Sequence, residues 1–159
     1  MLENCQNARE RWGGVNELID RWLQNRQQLL VHYCELSGEN DFTPTEALSK
    51  KFIRLCEVLV DYVSAGHFEI YEQLIQEARD FDDGGLELAA KVYPQIEKTT
   101  EVALRFNDHV DGRVLTEQDV ATLFEELSRL GEVLANRFEM EDFLIENLHN
   151  AHAGKLASA

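Results

Sequence analysis

Apolar residues recur along this chain with a helical period and nowhere alternate as strands require. A short charged stretch around Glu3–Arg11 predicts a first small helix ahead of Gly13-Gly14. From Val15 to about Leu36, residues Ile19, Trp22, Leu23, Leu29, Leu30 and Tyr33 share one broad face. The segment from Phe52 to Ala78 reads as two amphipathic pieces meeting at Ser64-Ala65-Gly66-His67. Phe52, Cys56, Leu59 and Val63 form the stripe of the first piece; Phe68, Tyr71, Leu74, Ile75 and Ala78 form that of the second, with His67 inside it. At about 100° per residue, Arg54, Glu57 and Asp61 fall on the solvent side of the first piece. A fourth helix runs from Leu86 to about Phe106, clustering Ala89, Val92, Ile96, Ala103 and Phe106. The last, from about Glu117 to His149, keeps Leu123, Leu127, Leu130, Leu134, Phe138, Ile145 and Leu148 on one stripe.

The breakers between these segments are equally legible. Ser37-Gly38-Glu39-Asn40 is a stop, with Gly38 suited to a left-handed helix terminus. Thr43-Pro44 belongs to a loop, because proline disfavours helix at the residue before it. Gly66, costly inside a helix, implies a kink or a close approach of backbones. Asp80–Gly85 reads as an acidic turn, Pro94 as a kink or restart, and Asn107–Leu115 as a loop. Thr116 followed by Asp119 resembles a capping box, and the closing AHAGKLASA is expected to fray. The expectation is one all-α domain over residues 1–159. It is a four-helix-type bundle with a short N-terminal helix, a kinked central helix and a frayed tail from about residue 151.

Composition narrows the function. A 44% apolar content with eight Phe, four Tyr and two Trp supports a packed core. The charge of −15 is uneven: residues 1–60 hold 9 acids against 7 bases, whereas residues 61–159 hold 21 against 8. Such a field repels nucleic-acid phosphates and attracts basic protein surfaces, so direct nucleic-acid binding is not expected. Neither a secretory leader nor an apolar run of membrane-spanning length is visible, which points to a cytoplasmic protein. Cys5, Cys34 and Cys56 are odd in number and widely spaced, as reduced thiols are.

Charges on apolar stripes are the strongest anomaly. Glu141 lies in line with Leu134, Leu144 and Leu148, with Arg137 one turn before it. Arg26 sits between Trp22 and Leu29/Leu30, His67 lies on the central stripe, and Glu72 borders Phe68 and Ile75. Buried charges need partners, so Arg26, His67, Glu72, Arg137 and Glu141 are expected to form one internal polar network. Its role is either to fix helix register or to line a pocket for a small ligand. Catalysis has no legible nucleophile–base pair behind it. Glu146-x-x-His149 has the spacing of half a di-iron site, but no second Glu-x-x-His exists, so no metal or cofactor is expected. Asp61 lies four residues after Glu57, a like-charge pair that a basic partner would relieve.

The stretch LVDYVSAGHFEIYE (59–72) resembles the Rsd/AlgQ family of bacterial sigma-factor-binding regulators. Further resemblance lies in DRWL (20–23), Arg26, YPQIE (93–97) and RFEMEDFLIENLHNAH (137–152). MLENCQNARERWGGV and the HNAH ending look like the AlgQ branch of pseudomonads. The resemblance implies an all-helical protein without enzymatic activity that binds region 4 of the primary sigma factor. That basic helix-turn-helix normally reads the −35 promoter element and touches the polymerase core. It further implies inhibition of primary-sigma transcription, a shift toward alternative sigma factors and, in the AlgQ branch, effects on alginate, siderophores and virulence. It carries a sigma-arginine contact onto Asp61, and extends the partner-binding set to Tyr62, Ser64, His67 and Phe68. The loop at 38–49 departs from the family pattern.

Overall fold

The computed structural model describes residues 8–111 and 115–153, which are helical almost throughout. Helix α1 spans Ala8–Ser37 and α2 spans Glu46–Ala65. A π-helical turn, Gly66–Ile70, joins α2 without a break to α3, Tyr71–Phe81. Helix α4 spans Gly85–Val110, α5 spans Glu117–Leu148, and a 3-10 turn at Asn150–His152 follows. Four long rods, α1, α2–π–α3, α4 and α5, thus make the all-α bundle that the periodicity predicts. Helix α4 packs along α5, α1 along α2, and α2 against α4.

The helix starts follow local chemistry. Thr45 caps α2 by accepting the Leu48 N–H at 3.0 Å. Thr116 and Asp119 form the capping box of α5, with reciprocal bonds of 3.1 and 3.2 Å. Between α3 and α4 the chain reverses through Asp82 (φ 44°) and Gly84 (φ 93°), both left-handed. Asp tolerates that region better than most residues, and Gly enters it without penalty.

Several expectations are corrected. No separate N-terminal helix precedes Gly13-Gly14, because α1 runs through both glycines. Each costs about 1 kcal/mol against Ala, and tertiary contact offsets it. The Trp12 indole N–H donates to the His149 carbonyl at 2.9 Å, and its ring stacks on the His149 imidazole at 4.4 Å. The Glu3–Asn7 part of that expected helix lies outside the described residues. Gly38 is not left-handed; its N–H stays in the helical turn, bonded to the Cys34 carbonyl at 3.0 Å. Helix α4 does not restart at Pro94 but runs through it; Pro94 is exposed, and water can donate to the Ala90 carbonyl that lacks its N–H. Helix α4 continues to Val110, so the loop expected from Asn107 starts later. The tail does not fray at its beginning: His152 is fully buried and stacks on Phe81 at 3.7 Å.

The core holds Trp22 near its middle, stacked on Tyr62 at 4.8 Å and edge-on to Tyr71 at 5.9 Å. A Cβ on Gly66 would lie 3.0 Å from the Trp22 ring and 3.2 Å from the Tyr71 hydroxyl. Close approach, then, is what glycine supplies there. No helix among the described residues is long and apolar enough to cross a membrane.

Candidate functional site

At the centre of the bundle, Glu141 is 1% exposed and Arg137 not exposed at all. Glu141 Oε1 accepts from the Tyr62 hydroxyl at 2.5 Å and from Arg26 Nη2 at 3.3 Å. Its Oε2 accepts from the Tyr71 hydroxyl and from Arg137 Nε, the latter at 3.1 Å. Each tyrosine in turn accepts from an arginine: Tyr62 from Arg26 Nε at 3.0 Å, Tyr71 from Arg137 Nη2 at 2.9 Å. Arg137 Nη1 also donates to Thr99 and Thr100 at 3.0 and 2.8 Å. Arg26 reaches outward to Asp142 at 2.6 Å, so two cations face two anions. No buried side-chain N or O among the described residues lacks a hydrogen-bond partner.

Burial pushes both phenols, Tyr62 and Tyr71, above their ordinary pKa, and the Glu141 charge adds to it. For Arg26, burial opposes the cation, but the oxygens of Tyr62, Asp142 and Glu141 outweigh it and the pKa is raised. The arrangement holds charge in fixed places. Both tyrosine hydroxyl protons are donated to Glu141, and the cluster opens to solvent on its Arg26–Asp142 side.

The π turn explains how two tyrosines nine residues apart reach one carboxylate. In a regular helix they would lie about 180° apart. The extra residue of a π-bulge cuts that offset to about 80°, within the arc facing the core.

Asp61 precedes Tyr62 and points the other way, into solvent. It lies on the rim of a groove of about 480 Å³ between α2 and the end of α4. Ile53, Val60 and Val110 give the groove apolar surface; Glu57, Asp61 and Asp111 supply acid. Glu57 is shared with Arg54 at 3.3 Å, while Asp61 and Asp111 have no cationic partner among the described residues. Cys56, below the rim, has its thiol pushed up to about 12 by burial and then by Asp111 and Glu57. About two turns beyond Asp61, Phe68 is 68% exposed, and His67 is exposed with its Nδ1 2.8 Å from the Tyr93 hydroxyl.

Arg26, Arg137 and Glu141 therefore meet as expected. His67 and Glu72 do not join them: both are exposed, Glu72 because it lies about 100° round α3 from Tyr71, and His67 because the π turn rotates it off the stripe that a regular helix implies. Phe68 leaves the apolar stripe for the same reason. Of the expected partner-binding residues, Asp61, His67 and Phe68 are exposed and Ser64 is half-buried. Tyr62 is fully buried and turned toward Glu141, so its side chain offers no surface. Sequence reasoning missed the hydroxyls of Tyr62, Tyr71, Thr99 and Thr100, which resemble ordinary core or helix residues until a buried charge needs them. It also missed a second cluster, in which Glu77 faces His149 at 2.8 Å and His152 at 3.3 Å, with Asp83 2.9 Å from His152. Glu146, of the half di-iron motif, is exposed and bonded to Asn150 rather than beside His149.

Fold and site together define a helical bundle locked from within by ion pairs, whose open chemistry lies on an acidic outer groove. This chain belongs to the Rsd/AlgQ family: the family model described as "Regulator of RNA polymerase sigma(70) subunit, Rsd/AlgQ" matches residues 1–149. It is 36% identical to a "Regulator of sigma D" from Yersinia pseudotuberculosis serotype O:1b (strain IP 31758), over 92% of this chain and 88% of that one. It is 39% identical to a protein of the same description from Enterobacter sp. (strain 638), over 91% of this chain and 88% of the relative.

Proposed function

We propose that this protein binds the primary sigma factor of RNA polymerase through its basic region 4, occluding the polymerase-core and −35 contacts that region makes. The observation that carries the reading is the α2–α4 groove, where Asp61 stands without a cation among the described residues, beside apolar Ile53 and Val60. A basic amphipathic helix supplies both complements: arginine for the carboxylates and apolar side chains for the floor. Asp61, Ser64, His67 and Phe68 are the contacts proposed, with Tyr62 acting from inside by holding the helix that presents Asp61. Exposed ion pairs contribute at most about 1 kcal/mol each, so apolar contact must supply most of the affinity. No catalytic step is part of this reading. It includes a cytoplasmic location, a shift of polymerase toward alternative sigma factors and, through the AlgQ-branch resemblance, altered alginate and siderophore output.

The test is binding of the purified chain to isolated region 4, with Asp61→Ala alongside. Wild type is expected to bind and Asp61→Ala to bind about fivefold more weakly, as loss of one exposed ion pair of about 1 kcal/mol would give. Equal affinities would move the interface off the groove. No binding by either protein would sink the sigma reading.

A further inference from the structure

On another face of α4, turned toward α5, lies a second concavity that the sigma reading does not use. It measures about 100 Å³ and is floored by Phe106 and Leu130. Arg105 and Arg129 line it, and both are exposed. Residues 61–159 contain only 8 Lys and Arg against 21 Asp and Glu, yet two of the eight converge here. Neither makes an ion pair among the described residues, although Glu101 and Glu125 lie one helical turn before them. Among the described residues the one carboxylate lining the cavity is Glu126, and it is already engaged: His109 Nδ1 donates to both of its oxygens at 2.8 Å. The cavity thus combines an apolar floor with two arginines unpaired among the described residues and a carboxylate already taken up by His109.

We propose that this cavity binds a small carboxylate carried on a compact apolar body of about one ring. Guanidinium forks match a carboxylate in two-point geometry. An apolar cavity of about 150 Å³ is known to take benzene, so a ring half-seats in this open one while its carboxylate reaches the arginines at the mouth. A nucleotide is too large for it. A bare oxyanion leaves Phe106 and Leu130 uncovered.

The experiment is amide and side-chain NMR of the full chain titrated with benzoate, benzyl alcohol and inorganic phosphate in parallel. Benzoate is expected to shift Phe106, His109 and Leu130 signals saturably. The double variant Arg105→Gln/Arg129→Gln is expected to bind it at least tenfold more weakly with an unchanged melting temperature, since both side chains are exposed. The assignment is overturned by the absence of saturable benzoate binding, or by equal binding of benzyl alcohol or phosphate. It is likewise overturned by unchanged benzoate affinity in the double variant. Asp61 takes no part here, so failure would leave the sigma reading untouched.

Discussion

Glu141 shows how much one residue can decide. Its two oxygens accept from two tyrosines and two arginines contributed by α1, α2, α3 and α5. Glu141→Gln would leave the fully buried Arg137 without its counter-charge, and breaking a buried pair costs about 3–5 kcal/mol. Urea denaturation should show that loss; a change below 1 kcal/mol would mean that the cluster tolerates an uncompensated cation. The two tyrosines of this cluster, with Cys56 beneath the groove, set a pH response. Tyr62, Tyr71 and Cys56 all have pKa values raised in the fold, chiefly by burial. Unfolded, they ionise at about 10, 10 and 8.5. A raised native value means that the unfolded chain releases these protons first, so stability is retained below those values and falls as pH climbs through them. The contribution of these three groups is expected to be fully present below about pH 8 and to be lost above about pH 9. In an absorbance titration, Tyr62 and Tyr71 should ionise only as the chain unfolds. Their ionisation in a still-folded protein would contradict this.

Among the elements, the α2–π–α3 rod is decisive. The π turn carries one residue more than an α-helical turn would, and it displays His67 and Phe68 while Tyr71 returns to the core. Deleting Phe68 would let the turn relax to α-helix with Tyr62 and Tyr71 still facing Glu141. Such a variant is expected to fold, with a melting temperature within about 8 °C of wild type, equivalent to roughly 1–2 kcal/mol. Deleting Val58 should unfold it, because every side chain on one side of the cut would turn by about 100°. Equal damage from both deletions would argue that the π turn has no slack. The opening half of α1 shows the converse dependence, being held across two glycines by contacts with His149 at the far end of the chain.

For the whole molecule, the charge of −15 sets how partners approach more than how tightly they stay. For a basic partner, the association rate should fall by at least tenfold between low and moderate salt while dissociation changes little. Stopped-flow kinetics on sigma region 4 would check this. A salt effect confined to dissociation would mean that the charges act inside the interface instead.

Periodicity alone determined the helices, because a 3.6-residue pattern repeated over twenty to thirty residues has one structural solution. The inward lean of Arg26, Arg137 and Glu141 was legible for the same reason, each lying on an unbroken apolar stripe. The capping box of α5 was local chemistry, and the sequence also marked Gly66 as a kink or a close approach, of which the structure shows the approach. Tertiary structure alone decided the rest. One inserted residue turned His67 and Phe68 outward and Tyr71 inward, and a phase shift of this kind leaves no mark on composition. The partners of Arg137 on α3 and α4, and the joining of Glu77 to His149 and His152, depend on how rods distant in sequence are stacked. Stacking is settled by side-chain packing summed over the whole core, which no window of the chain contains.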